Sequence, residues 1–276
     1  MSGMLYLVPT PIGNLSDISD RCRQTLSDAD FIAAEDTRVS LRLLNHLGIK
    51  KPLVSYYEHN KVVSGQKILE RILSGETCAL VSDAGSPAIS DPGEDLVRLC
   101  AENGVTVSAI PGPCAAITAL SISALPTGRF AFEGFLSTNK KTRRNHLDSL
   151  KNETRTMIFY EAPHKLTDTL KSLSDCFGLD RKISLCRELT KLHEEVLRMT
   201  LGEAMAYYET NAPRGEYVLI VEGAPEVQEE EISQDDALQM VSDLIDQGMS
   251  KKDAVKQIAA QLSISKNELY QAALNL

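Results

Sequence analysis

Short apolar runs alternate with amphipathic stretches over residues 1–125, and this alternation constrains the fold more than any other feature of the chain. The apolar runs have the length of strands, which are predicted at Leu5–Val8, Phe31–Ala34, Pro52–Ser55, Cys78–Ser82 and Thr106–Ile110. The stretches that follow them have helical periodicity and predict helices at Ile18–Ser27, Ser40–Leu47, Gly65–Leu73, Glu94–Asn103 and Ala115–Ala124. Strand–helix–strand units at this spacing favour a mainly parallel sheet covered by helices.

A cluster of helix- and strand-breaking residues, Ala-Leu-Pro-Thr-Gly at 124–128, separates this part from a second α/β segment. We therefore predict an N-terminal domain over 1–125 and a second domain over 126–224. Strands of the second domain are predicted at Phe130–Leu136, Thr156–Tyr160, Ile183–Arg187, Val196–Thr200 and Tyr217–Val221. Helices are predicted near Thr142–Leu150 and His164–Cys176. Because only a short polar connection joins the third and fourth strands, they are expected to form a hairpin.

The composition changes after the Gly-Ala-Pro segment at 223–225. Six acids in the eleven residues from 226 to 236 are typical of a solvated linker. Helical periodicity then covers Asp236–Gln247, Ser250–Gln261 and Ser265–Leu274, with serines at two cap positions. Residues 225–276 are therefore predicted to be an acidic linker and a small three-helix module.

The overall charge limits the classes of function. The chain of 276 residues carries 38 acids and 29 bases, a net charge of −9, which excludes a uniformly basic nucleic-acid binder but leaves a local basic patch open. No apolar stretch approaches the roughly 18–20 residues of a membrane span, and the first residues lack a basic n-region. We therefore expect a cytoplasmic protein without a membrane contact. The six cysteines contain no C-x-x-C pair, so neither a disulfide framework nor a metal site is expected.

The loops after the predicted strands are the candidate site, because ligands of open α/β sheets bind beyond the carboxyl ends of the strands. Four such loops carry small or polar residues, at 8–14, 34–38, 80–93 and 110–117. No G-x-G-x-x-G, P-loop, H-E-x-x-H or G-x-S-x-G motif is present in the sequence. Taken alone, the first loop fits a plain connection as well as it fits a binding loop, and the second fits a helix cap as well as a site for a polar ligand. For the fourth loop, the alternative is close packing of a helix on a strand.

The loop at 80–93 carries the strongest signal. It contains two aspartates, two glycines and two prolines directly after a strand. Gly85 permits close backbone approach, and Asp83 can accept from hydroxyls or attract a cation. A tight turn in which Ser90 or Asp91 caps the next helix explains the end of this loop but not its first half.

Three segments together resemble the tetrapyrrole-methylase-like (class III) methyltransferases: SDAGSPAISDPG at 82–93, VPTPIGNL before it and IPGPCAAITAL after it. The segments AEDTR, FYEAPHKL and CRELTKLHEE are similar to those of an RNA-methylating branch of that family, and the resemblance runs from about residue 5 to 222. Tetrapyrrole-methylating relatives usually have G-D-P in the loop that corresponds to 80–93. The S-D-A-G-S-P found here favours an RNA substrate over a porphyrin.

The resemblance implies an α/β fold of two αβα domains with the cofactor cleft between them, usually in a homodimer. It implies S-adenosylmethionine as cofactor and 2′-O-methylation of one cytidine ribose in the decoding region of 16S rRNA, with the free rRNA and the 30S subunit both open as the substrate. The residues that the resemblance assigns to cofactor binding are Pro11, Gly13, Asp83, Gly85, Ser86, Ser90, Cys114, Ala115, Ala116, Tyr160, Arg187, Glu188, Leu189 and Gly215.

A run of basic residues is the candidate RNA contact. Lys140, Lys141, Arg143 and Arg144 bring four positive charges without an acid, and Arg38 follows the second predicted strand. Such charges suit phosphate groups, although a solvated helix start explains the run nearly as well.

Methyl transfer to a hydroxyl needs mainly alignment of the oxygen with an activated carbon, and a base that takes the proton helps. Asp36, His59 and Glu161 are the candidates, because they are expected in loops at strand ends. His164 can also polarise a hydroxyl but more often has a structural role at a helix start. Two other functions stay open: a tetrapyrrole C-methyltransferase, and a ribosome-assembly or RNA-binding factor that transfers no methyl group.

Overall fold

The structure, a computed structural model, describes residues 3–225, 234–262 and 265–275 of the chain. By internal contacts the chain divides into two compact units, Met1–Ala224 and Pro225–Leu276. The first unit holds two five-stranded sheets, and the second is helical.

The first sheet is entirely parallel, with strand order β3-β2-β4-β1-β5. Its strands are β1 (Met4–Leu7), β2 (Phe31–Ala34), β3 (Leu53–Ser55), β4 (Cys78–Val81) and β5 (Thr106–Ala109). The helices that follow them are α1 (Asp20–Asp28), α2 (Thr37–Leu47), α3 (Lys61–Leu73), α4 (Gly93–Glu102) and α5 (Ala115–Ile122). The predicted parallel α/β architecture is confirmed, and each strand agrees with its prediction to within one residue at either end.

The central strands of this sheet show why it is parallel and covered on both faces. Every residue of β2 and β4 is apolar and buried, which is typical of strands that lie between two helical layers. Phe31 and Leu80 pack in one cluster with residues of α3 and α4, whereas Ile32 and Ala79 pack in another with residues of α1 and α2.

The second sheet is mixed, with strand order β6-β7-β10-β8-β9. Its strands are β6 (Phe130–Phe135), β7 (Thr156–Glu161), β8 (Lys182–Arg187), β9 (Glu195–Thr200) and β10 (Tyr217–Val221), and its helices are α6 (Lys140–Ser149), α7 (Leu166–Phe177) and α8 (Leu201–Thr210). Strand β10 lies antiparallel between β7 and β8, and β8 and β9 form the predicted hairpin.

Helix α8 was not predicted, although the sequence contains a signal for its start. Thr200 accepts a hydrogen bond from the backbone N–H of Glu203, whose carboxylate accepts one from the N–H of Thr200. This reciprocal capping box is readable as T-x-x-E directly after the strand. Helix α2 also begins earlier than predicted, at Thr37, because the carboxylate of Asp36 caps it.

The second unit contains α9 (Gln234–Asp246), α10 (Lys251–Gln261) and α11 (Lys266–Ala272), so the predicted three helices are observed. Ser250 and Ser265 accept hydrogen bonds from the backbone of Asp253 and Glu268, which confirms both predicted caps. The core of the unit is formed by small and aliphatic residues of all three helices. Residues 226–233 of the predicted linker lie outside the described residues.

The boundary predicted at 125/126 falls between α5 and β6, inside the first compact unit. Its role as a domain junction stays a prediction. Within the described ranges, no helix combines the length and the apolar character that crossing a membrane demands.

Candidate active site

A cavity of about 600 Å³ lies between loops of the two sheets, within the size range of small-molecule sites. The first sheet contributes the loop after β4, together with Ile12, Glu35, Cys114 and Ala115 from the loops after its other strands. The second sheet contributes residues that follow β7 and β8 and that begin β10. The carboxyl ends of the parallel strands therefore meet at the cavity, as expected for this class of fold.

Nine of the fourteen residues predicted to bind the cofactor line this cavity: Asp83, Gly85, Ser86, Ser90, Cys114, Ala115, Tyr160, Glu188 and Leu189. The other five, Pro11, Gly13, Ala116, Arg187 and Gly215, do not line it. The backbone N–H of Ala116 nevertheless donates to the Tyr160 hydroxyl at 3.2 Å. Arg187 and Gly215 line a neighbouring cavity. The structure thus brings most of the predicted set together, and the role of each residue stays a prediction.

The loops after β1, β4 and β5 are tied to one another by hydrogen bonds. Thr10 and Gly85 exchange two backbone bonds of 3.0 Å each, and the Thr10 hydroxyl donates to the Ser82 carbonyl. Gly85 has a φ of +85°, which favours glycine. The Ser86 hydroxyl donates to the Pro113 carbonyl at 2.9 Å. These bonds fix the wall of the cavity that the first sheet supplies.

Gly13 lies outside the cavity but determines how closely the two sheets' loops approach. A Cβ atom at Gly13 would lie 2.5 Å from Cγ of Lys191 and 2.9 Å from the Leu189 carbonyl oxygen. Glu188 and Thr190 in this opposite loop both have positive φ, a strained conformation for a non-glycine residue. Gly13 is therefore needed for packing, whether or not it contacts a ligand.

The lining carries a marked excess of acidic groups. Six carboxylates, those of Glu35, Asp83, Asp91, Glu161, Glu188 and Glu216, face one lysine and one histidine, Lys191 and His164. Burial raises the pKa of Glu35, and the nearby charges of Asp83 and Asp91 raise it further. A cavity with this charge favours a cationic ligand.

The raised pKa of Glu35 predicts a pH-dependent gain in stability for Glu35→Gln. A carboxyl whose pKa is raised by folding stabilises the fold below its unfolded pKa, and this stabilisation is lost as pH rises through the folded pKa. Glu35→Gln is therefore expected to raise the melting temperature at pH 7 and to leave it unchanged near pH 4. The exposed Glu70→Gln, melted at both pH values, is the control. A gain of equal size at both pH values would contradict this explanation.

The three candidate proton acceptors lie in different places. Glu161 is buried and lines the cavity, and its two carboxylate oxygens accept from the Ala162 N–H at 2.8 Å and the Thr169 hydroxyl at 2.6 Å. Asp36 is outside the lining and binds the Arg38 guanidinium through both oxygens, which lowers the pKa of Asp36 to about 2. His59 is exposed and also outside the lining, with its ring edge-on to Tyr57.

Several lining residues were absent from the predicted set. Glu35 is the first residue after β2, and this position at a strand end was available as a signal. Lys191 is another of these residues, and its ammonium group lies 2.9 Å from the Glu216 carboxylate because β10 pairs with β8. No sequence pattern indicated this antiparallel pairing. Among the described residues no cluster of three or more histidines, cysteines or carboxylates could hold a metal ion.

The predicted RNA-contacting residues lie in the first turns of α6, apart from Arg38. Asn139 caps this helix by accepting from the backbone of Lys141 and Thr142. Arg144 lies 3.7 Å from the Asp148 carboxylate, while the other three basic side chains form no ion pair with any described residue. Arg38 is exposed but paired with Asp36. Among the predicted RNA contacts, the unpaired positive charges are therefore those of α6.

Family models match most of the chain. Residues 4–205 match the family described as Tetrapyrrole (Corrin/Porphyrin) Methylases. Residues 231–276 match the one described as the RsmI C-terminal HTH domain.

Curated relatives are similar over nearly their whole length. A protein of Halalkalibacterium halodurans named Ribosomal RNA small subunit methyltransferase I is 48% identical over 97% of this chain and 93% of its own. Proteins of the same name from Bacillus subtilis and Synechocystis are 46% and 44% identical, over 98% and 99% of this chain and 94% and 98% of their own.

Solved structures share the fold at low sequence identity. Diphthine synthase aligns with a TM-score of 0.63 and 14% identity over 80% of this chain and 90% of its own. A Thermus thermophilus uroporphyrin-III C-methyltransferase, titled as complexed with S-adenyl homocysteine, aligns with a TM-score of 0.54 and 17% identity over 79% and 97%. Because the family model spans more than half of the chain and the relatives are 44–48% identical, the chain belongs to the tetrapyrrole methylase family of S-adenosylmethionine-dependent methyltransferases.

Proposed function

We propose that this chain methylates the ribose 2′-hydroxyl of a cytidine in the decoding region of small-subunit ribosomal RNA. The observation that carries the proposal is the similarity to curated rRNA small subunit methyltransferases, which extends over 97–99% of the chain. The S-D-A-G-S-P loop at 82–87 supports the RNA-methylating branch, and the unpaired charges of α6 support a phosphate-bearing substrate.

The residues of the cavity fit S-adenosylmethionine. The cofactor carries a sulfonium cation, for which the excess of carboxylates is suited. Gly85, with its left-handed backbone, packs the loop after β4 closely against Ile12, whose side chain would lie 3.3 Å from a Cβ atom at this position. One oxygen of Asp83 accepts from the Asp36 N–H at 3.0 Å, and its second oxygen can accept from a ligand hydroxyl or amine. When bound, S-adenosylmethionine supplies an activated methyl group.

Asp83→Ala is expected to weaken binding of S-adenosylmethionine by about 10- to 150-fold. The change removes a charge-assisted acceptor worth about 1.5–3 kcal/mol. Isothermal titration measures the dissociation constant, with Asp83→Asn as the control that keeps an acceptor for the Asp36 N–H. A folded Asp83→Ala protein that binds the cofactor as the parent does would remove Asp83 from the site.

The protein's own contribution to the transfer is alignment of the hydroxyl and acceptance of its proton. Among the three predicted acceptors we favour Glu161, because it alone lines the cavity. Its bond to Thr169 fixes the carboxylate, and the segment that follows Glu161 carries His164 into the lining. Asp36 is committed to Arg38 and to the cap of α2.

Transfer of a labelled methyl group tests the proposed function. Purified protein and labelled S-adenosylmethionine are incubated with 30S subunits and, separately, with a porphyrin precursor. Label in the RNA supports the proposal, whereas label in the porphyrin shows a tetrapyrrole C-methyltransferase. Binding of the RNA without any transfer shows a non-catalytic assembly factor.

The proposal includes the partners that the resemblance implies and the place of action that the sequence predicts. These are the 30S subunit as substrate, a homodimer, and the cytoplasm, where ribosomal subunits are found. Comparison of free 16S rRNA with 30S subunits in the same assay tests the substrate, and light scattering of the purified protein tests the dimer. A strictly monomeric, fully active protein would contradict the dimer.

A further inference from the structure

A second cavity of about 680 Å³ lies next to the active-site cavity. Its walls are the β8–β9 hairpin, the end of α8 and the loop that leads into β10. Glu188 and Tyr217 line both cavities, so the two are separated by a wall of shared side chains. A polymeric substrate held in one cavity therefore has its next unit within reach of the other.

Most charged side chains that line the second cavity are paired with an opposite charge, and the unpaired one is positive. Arg187 donates to the Glu195 carboxylate at 2.7 Å. The Glu188 carboxylate accepts from Lys191 at 2.9 Å and from the Glu216 N–H at 3.2 Å. The Arg214 guanidinium is exposed and forms no ion pair with any described residue. In contrast to the acidic active-site cavity, this cavity offers a free cation.

Aromatic rings form part of the wall and also hold the loop of Arg214. The Tyr217 hydroxyl accepts from the Arg214 N–H at 3.2 Å and from the Tyr208 hydroxyl at 3.3 Å. The ring of Tyr207 is partly exposed and lies edge-on to Tyr208 at 5.0 Å. A free guanidinium and a partly exposed tyrosine ring in the lining of one cavity can bind a phosphate and stack a base.

We propose that the second cavity binds the nucleotide adjacent to the methylated one, with its phosphate on Arg214 and its base on Tyr207. This inference rests on the proposed function, since it assigns a subsite to the same RNA strand. It also assigns Arg187 and Gly215 to this RNA subsite, because they line the second cavity rather than the first. Arg187 acts there as a positioning residue, because its guanidinium is bound to Glu195.

Steady-state kinetics of Arg214→Ala with 30S subunits tests the subsite. The KM for 30S subunits is expected to rise about tenfold, since the variant cannot form the charge-assisted bond to the RNA phosphate. The dissociation constant of S-adenosylmethionine is expected to stay the same. Arg23→Ala removes an exposed arginine of α1 and is the matched control, with no change expected. Tyr207→Leu should raise KM as well, whereas Tyr207→Phe, which keeps the ring, should not.

Direct binding separates this inference from the proposed function. A fluorescent single-stranded oligoribonucleotide containing cytidine is titrated with the parent and with Arg214→Ala, and the variant is expected to bind it about tenfold more weakly. If the parent does not methylate 30S subunits, the proposed function fails and this titration still tests the cavity. Equal binding and equal KM in the variant would overturn the inference. Weaker cofactor binding would assign the cavity to the cofactor, and a changed oligomeric state would assign it to an interface between copies; both overturn it.

Discussion

Glu161→Gln is expected to lower kcat for methyl transfer by about 100-fold or more, the usual contribution of a positioned general base. The amide has the shape of the carboxylate. Its oxygen can accept from the Ala162 N–H and its NH₂ group can donate to the Thr169 hydroxyl, so the loop is expected to keep its place. The amide cannot take the proton from the ribose hydroxyl. The affinity for S-adenosylmethionine is expected to remain that of the parent.

The split between kcat and KM distinguishes proton acceptance from a structural role. Loss of the acceptor should lower kcat in Glu161→Gln while KM and the affinity for S-adenosylmethionine stay those of the parent, whereas a disturbed cavity wall should change all three. His164→Asn is the comparison, because His164 lines the same cavity. If His164→Asn lowers kcat by this factor and Glu161→Gln keeps the full rate, Glu161 is not the acceptor.

Replacement of four basic residues of α6 by alanine is expected to weaken the binding of RNA strongly. These residues are Lys140, Lys141, Arg143 and Arg144. Each phosphate contact that the variant cannot form should reduce the log–log slope of affinity against salt by about 0.7–0.9. Arg144 is expected to contribute least, because Asp148 lies 3.7 Å away. The measurement is the dissociation constant for the RNA substrate over a range of salt concentrations.

The matched control removes the same number of positive charges from exposed positions on the helices and loops around the first sheet. These positions are Arg21, Arg23, Lys50 and Lys67. This control should retain the salt slope of the parent, and both variants should bind S-adenosylmethionine normally. An unchanged slope in the α6 variant would make the basic run a solvated helix face without an RNA contact.

The first sheet could be predicted from the sequence because its order follows from local patterns. Strands such as Cys78–Val81 are continuous apolar runs, and each is followed by a helix with its own periodicity. The ligand-facing loops then follow from the rule that parallel strands end on one edge. Asp83, Gly85 and Cys114 were placed at one cavity by this reasoning together with the family resemblance.

The second sheet limited what the sequence could reveal. Strand β10 enters antiparallel between β7 and β8, so residues distant in the chain become neighbours without a local pattern. This pairing brings Glu216 to Lys191, and it places Arg187 and Gly215 in the second cavity. Asp36 was a reasonable candidate at a strand end, yet its carboxylate is used by Arg38 and by the cap of α2. Such competition for a polar group is decided by tertiary structure.

The position of the transferred methyl group shows whether the protein methylates a ribose 2′-hydroxyl. After reaction of 30S subunits with S-adenosylmethionine and the purified protein, the rRNA is digested to nucleosides and the methylated product is identified by mass spectrometry, with fragment mapping to place it. We expect 2′-O-methylcytidine in a fragment from the decoding region, and about a hundredth as much or less with Glu161→Gln at matched times. A methyl group on a base, on another nucleoside, or only on a porphyrin acceptor would contradict the account.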